Sequence, residues 1–154
     1  MPIYVIRHAH AGSRSDWIGP DGDRPLSDKG RARSEAIADE LSDVGVSEIW
    51  TSPLVRCVET VEPLAERCDV AIRCTDALAE GAALAATVEL VEKLAADDTT
   101  AALCSHGDVI PELLAALARR GADLDADGAC PKGSIWALVV EHGAVTRADY
   151  LGRG

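Results

Sequence analysis

The chain has 154 residues, 47% of them hydrophobic, which suits one globular domain over residues 1–154 with a core of useful size. Its 26 acidic and 15 basic residues give a formal net charge of −11, which argues against a general nucleic-acid-binding or membrane-surface role and confines anion binding to a local pocket. No apolar run reaches membrane-spanning length, and the first lacks the length and basic leader of a signal peptide, so the expected location is the cytoplasm.

Strand and helix signals alternate along the chain. Residues 2–7 read as a buried strand, followed by a polar loop over 9–26. Ser27 is placed to cap a helix running to about residue 43, with Ile37, Leu41 and Val44 on one face; Gly45 stops it. Glu48 to Thr51 is a short strand. Ser52 and Pro53 then look like the cap and first position of a second helix, with Leu54, Val58, Val61 and Ala65 as its apolar stripe and Leu64 alongside. Pro63 predicts either a kink or an end to that helix. Residues 70–74 form a third strand, 84–96 a helix with Leu84, Val88, Val91 and Ala95 inward, 100–104 a strand and 108–120 a helix. A long loop over 121–133 precedes two strands, 134–141 and 144–151, joined at His142-Gly143 as an antiparallel hairpin. The expected fold is a three-layer α/β/α sandwich around a mostly parallel sheet. Five widely spaced cysteines without a CxxC pair read as buried free thiols, not as a zinc site.

His8, Arg56 and His106 each follow a strand, so all three fall on the edge of the sheet where open α/β folds bind ligands. Glu80, after the third strand, joins them. Arg56 sits in the first turn of a helix, where free N–H groups favour an anion. Gly107 leaves room for close approach beside His106. Two histidines and several arginines around one point suit a phosphoryl group, with an imidazole attacking while cations stabilise the oxygens. A metal site built from His8, His10 and His106 is the chemical alternative; the arginines and the lack of a well-spaced carboxylate count against it, and no cofactor is expected. His10 reads as solvent-facing or at the pocket rim, His142 as surface, and Lys132 as a solvated charge in preference to a substrate contact. Trp17 either stacks on a ligand or packs its own loop.

These segments resemble the histidine phosphatase (phosphoglycerate mutase-like) superfamily. Arg7-His8-Ala9 is similar to its RHG signature, with alanine for the usual glycine. Residues 51–60, from Thr51-Ser52-Pro53-Leu54 through Arg56-Cys57 to Thr60, resemble its S-S-P-L-x-R-A-x-x-T segment, and Cys104-Ser105-His106-Gly107 its second histidine motif. The resemblance spans essentially the whole chain and is greatest to the compact, SixA-like branch. The stretches 104–111 and 132–136 look like the phosphatase domain that follows Nudix domains in actinobacterial proteins, although this chain contains no Nudix box. The resemblance implies that His8 is the nucleophile that becomes phosphohistidine. It also implies that Arg7, Arg56 and His106 hold the transferring group, that Arg14 occupies a further phosphate-pocket position often filled by asparagine, and that Glu80 is the proton donor. The implied partners are a phosphorylated small molecule, a nucleotide or a phosphohistidine protein. Mutase-type phosphoryl transfer and a non-catalytic phospholigand-binding module are the rival readings. Without a long capping insertion, the loops over 9–26, 76–83 and 121–133 leave little to cover the pocket, which favours hydrolysis.

Overall fold

A computed structural model describes residues 1–153. Its seven-stranded sheet has the order β3-β2-β4-β1-β6-β7-β5, comprising β1 (Ile3–Arg7), β2 (Glu48–Thr51), β3 (Ile72–Cys74), β4 (Ala101–Ser105), β5 (Asp123–Leu124), β6 (Ile135–Glu141) and β7 (Ala144–Gly152). Strands β1 to β4 are mutually parallel; β6 pairs antiparallel with β1 and with β7, and β7 pairs parallel with β5. One strand, β6, therefore runs against the other six. The expected terminal hairpin is present, and the chain's last strand points the same way as its first. The loop expected over 121–133 holds the two-residue strand β5, too short to leave a periodic signal.

The alternation of side chains along β1 and β4 divides the core. Ile3, Val5, Ala101 and Leu103 face α3 (Leu84–Ala96) and α4 (Val109–Arg119), packing with Val91, Leu94, Ile110 and Leu113. Tyr4, Ile6, Ala102 and Cys104 face the other way, onto α1 (Asp28–Leu41) and α2 (Val55–Cys68), with Ile37, Leu41, Val61 and Leu64. Both faces of the central strands are covered, which is why they read as unbroken apolar runs and not as alternating ones.

Helix boundaries correct the sequence reading at three points. Ser27 caps α1, accepting a hydrogen bond from Gly30 N, but α1 ends at Leu41 and Val44 lies exposed beyond it. Neither Ser52 nor Pro53 begins α2. Leu54 occupies the cap position in extended conformation and the helix starts at Val55, while the Ser52 hydroxyl accepts from Leu54 N at 3.3 Å and meets His106 Nε2 at 2.8 Å. Helix α2 runs through Pro63 to Cys68, so one lost N–H donor is tolerated where packing holds the helix. Its buried face carries Cys57, Thr60, Val61 and Leu64, rotated from the expected stripe, with Leu54 and Val58 only partly covered. Thr60 enters the core because its hydroxyl is satisfied there, donating to Arg56 O and accepting from Ala9 N. All five cysteines are free, but Cys74 is exposed and not buried as expected.

Candidate active site

The carboxyl ends of β1, β2 and β4 lie side by side, and the backbone ladder continues one residue past each. His8 N donates to Ser105 O at 3.0 Å, and Ser52 N to Cys104 O at 3.0 Å. These bonds bring His8, Ser52 and His106 together on one edge of the sheet. Arg7, His8, Arg14, Arg56, Glu80 and His106, all named from the sequence, line a single cavity of about 410 Å³. Arg24, Asp108 and Lys132 line it too.

His8 is buried, and its Nδ1 lies 2.8 Å from Ala9 O. A carbonyl oxygen only accepts, so Nδ1 carries the proton and the neutral ring presents Nε2 with a free lone pair. Burial pushes the His8 pKa down to about 3; the bond to Ala9 opposes this, while His106, Arg56 and Arg7 add to it. His8 is therefore a neutral imidazole near neutral pH, the state that nucleophilic attack by a histidine would require. The His106 ring stands edge-on to His8, with centroids 5.3 Å apart. Its Nε2 is 2.8 Å from Ser52 Oγ and 3.5 Å from Cys57 Sγ, which fixes the ring from behind.

The arginines are held individually. Arg7 donates through Nη1 to Cys130 O, and a Cβ on Gly107 would come within 2.6 Å of the Arg7 guanidinium carbon, so only glycine lets His106 and Arg7 approach this closely. Buried Arg56 donates from Nη1 to Asp21 O and from Nη2 to Glu80 Oε2 at 2.8 Å. The Nε atoms of both arginines are buried without a hydrogen-bond partner among the described residues. Arg24 is buried, bonded to Asp21 Oδ1 and to the carbonyls of Ala11 and Gly12. Arg14 is exposed and reaches Asp21 and Glu80. Asp21 thus gathers Arg14, Arg24 and Arg56; although desolvation opposes it, these bonds and charges hold its carboxyl below the usual range.

Sequence reasoning missed Ser52 as the support of His106, and also Asp21 and Arg24. Clustering of arginine in the first third of the chain was the available signal for Arg24. Lys132, expected to be solvated, is half-buried in the pocket wall, where burial and the charges of Arg7, Arg24 and Arg56 push its pKa down. His10 is turned away onto Ser27 Oγ at 2.7 Å and lines a neighbouring cavity. Trp17 donates to Pro20 O and packs within its own loop, and His142 is exposed in the β6–β7 turn. Among the described residues, no group of three or more histidine, cysteine or acidic side chains is arranged to hold a metal ion. No described helix is long and apolar enough to cross a membrane.

The arrangement offers an unprotonated imidazole beside several fixed guanidinium groups, a combination suited to receiving a phosphoryl group. The model of the histidine phosphatase superfamily (branch 1) matches residues 3–150. An 8-oxo-(d)GTP phosphatase of Mycolicibacterium smegmatis is 34% identical over 152 residues, covering 97% of this chain and 47% of that protein. An uncharacterised protein of Picosynechococcus is 43% identical over 67 residues, covering 42% of this chain and 40% of its own length. The matches thus cover less than half of either relative. Among solved structures, the protein histidine phosphatase SixA with tungstate superposes with a TM-score of 0.77 at 18% identity, covering 97% of this chain and 94% of that one. A mycobacterial glucosyl-3-phosphoglycerate phosphatase gives 0.71 at 18% identity, covering 98% and 97%.

Proposed function

The chain belongs to branch 1 of the histidine phosphatase superfamily, and we propose that it is a metal-independent phosphatase whose nucleophile is Nε2 of His8. The observation that carries this reading is the bond from His8 Nδ1 to Ala9 O, which leaves Nε2 unprotonated in a cavity walled by Arg7, Arg14, Arg24 and Arg56. Nε2 attacks phosphorus in line, the P–O bond to the leaving group breaks, and phosphohistidine forms. Arg7, Arg56 and His106 hold the equatorial oxygens, supplying the positive charge that a divalent ion would otherwise bring. Arg14 adds a mobile contact from the rim.

An incoming phosphoryl group competes with Glu80 for Arg56 Nη2. Once displaced, the Glu80 carboxylate takes up the proton of the incoming phosphate monoanion, passes it to the leaving oxygen as the P–O bond breaks, and then takes a proton from the water that cleaves the P–N bond. Inorganic phosphate departs and His8 is restored. Substrates are phosphorylated small molecules, nucleotides included; the Mycolicibacterium smegmatis relative, named for a nucleotide phosphatase activity, supports that class. A phosphohistidine protein is the second class that an open pocket would admit.

Phosphate release from p-nitrophenyl phosphate, a nucleotide panel and a phosphohistidine protein tests the reading. Turnover should survive EDTA, His8→Asn should abolish it, and quenching without acid should trap phosphate on His8 of the unaltered protein. Phosphate trapped on His106, unimpaired turnover by His8→Asn, or dependence on added zinc or manganese would overturn it.

A further inference from the structure

A second cavity, of about 390 Å³, shares Lys132 with the catalytic pocket and is otherwise lined by His10, Lys29, Arg33 and Arg153. Among the described residues no carboxylate side chain lines it, in a chain whose net charge is −11. These residues come from four separate stretches: the loop after β1, helix α1, the loop before β6 and the end of β7. Like charges gathered in one hollow repel one another, and an anion resting among them removes that cost.

The hollow is built and tied to the nucleophile. Arg33 donates from Nε to Gly133 O at 2.8 Å and from Nη1 to Glu40 Oε1 at 2.9 Å, while its buried Nη2 finds no acceptor among the described residues. Gly133 has φ +79°, and a Cβ there would meet Arg33 Cγ at 2.8 Å, so glycine is what lets Arg33 lie against this backbone. Gly133 N in turn donates to the carbonyls of both Arg7 and His8 at 3.1 Å. A collision of any Cβ at Gly30 with His10 O likewise fixes α1, and Lys29 with it, against the loop leaving His8. The two cavities are thus held in register by the backbone around the nucleophile.

We propose that this hollow is a second anion subsite, so that the preferred substrates are small molecules whose leaving group carries a phosphate of its own. That phosphate rests among Lys29, Arg33 and Arg153, and Lys132 spans the two subsites. The proposal rests on the phosphatase reading for the scissile group, but its binding arm can be tested separately. In steady-state kinetics, fructose 1,6-bisphosphate should show a lower KM than p-nitrophenyl phosphate. The double variant Lys29→Gln/Arg153→Gln should raise that KM about ten-fold, the scale of losing one good charge-assisted contact, with kcat and the p-nitrophenyl phosphate kinetics within two-fold. Lys29→Arg should keep the low KM.

Calorimetry on the His8→Asn protein reads the subsite without turnover. Fructose 1,6-bisphosphate should bind about ten-fold tighter than fructose 6-phosphate, and the double variant should erase that margin. Equal affinities, or a margin that the double variant leaves intact, overturn the subsite. A margin that is present and erased as expected, alongside no turnover of any phosphate by the unaltered protein, supports the subsite and overturns the phosphatase reading instead.

Discussion

His8, His106 and Arg56, on the floor of the candidate active site, are 5%, 3% and 2% exposed, whereas the side chains of Arg14 and Glu80 on its rim are 66% and 40% exposed. The floor is located by backbone: a ladder bond places His8, Ser52 Oγ orients His106, and Thr60 ties the first turn of α2 to the residue after His8. The rim is located by side-chain ion pairs such as Arg14–Glu80 at 3.2 Å, of a kind that contributes roughly 0–1 kcal/mol at a surface. On the proposed mechanism phosphoryl transfer needs donors fixed before the reaction begins, and the buried floor would supply them. Fitting a leaving group asks for adjustment, and the rim permits it.

If that division is right, substitutions should grade with it. Arg56→Ala removes a buried donor from the floor and should lower kcat/KM on the order of 10²–10³-fold for every substrate, the range for losing one preorganised donor. Arg56→Lys should recover only part, because one ammonium cannot replace a fork that spans Asp21 and the phosphoryl group. A loss below ten-fold for Arg56→Ala would mean that the floor is not where the transferring charge is stabilised.

Glu80→Gln sharpens the comparison, because Glu80 sits on the rim yet is assigned a chemical role. The burst of phosphorylation should fall about 10²-fold for alkyl phosphates, whose leaving oxygen needs a proton. For p-nitrophenyl phosphate the burst should change far less, since that leaving group carries its own charge well. Equal losses for both would make Glu80 a positioning residue for Arg56 instead. Arg14→Ala should cost less than ten-fold, mostly in KM, as fits an exposed contact. A loss as large as that of Arg56→Ala would erase the distinction between floor and rim.

The same contrast governs what was legible in the sequence. His8, Arg56 and His106 could be placed together because each directly follows an apolar strand or opens the helix after it, so topology alone brings them to one edge. Layer architecture followed from the alternation of strand and helix signals, down to the terminal hairpin at His142-Gly143, whereas the strand order did not. Asp21, Arg24 and the inward turn of Lys132 were not legible in this way: each lies in an irregular loop, and its direction is set by tertiary partners such as the carbonyls of Ala11 and Gly12. Ser52 was misread as a helix cap for a physical reason as well. A serine before proline has the local signature of a cap, and its hydroxyl does accept from Leu54 N, but the helix starts later and the same hydroxyl also meets a histidine 54 residues away.

The smallest effect expected concerns stability in mild acid, and it tests whether the floor is as closed to water as its burial implies. The His8 pKa stands near 3 in the folded protein, against an ordinary value of 6.5, chiefly because burial disfavours the charged ring. The unfolded chain therefore binds a proton that the folded chain refuses, and stability falls as pH drops from about 6.5 towards 3. Asp21 has a depressed carboxyl pKa, so its own contribution is lost only as pH falls below the ordinary carboxylate range. Between pH 7 and pH 5, His8 can thus be read apart from Asp21. Over that interval His8 should cost about 2 kcal/mol, or about 4–8 °C in Tm for a chain of this size. Asparagine keeps a donor for Ala9 O but does not titrate, so the His8→Asn protein should lose that much less Tm than the unaltered protein on going from pH 7 to pH 5. Parallel losses in the two proteins would mean that His8 takes up its proton without unfolding, and that water reaches the floor as freely as the rim.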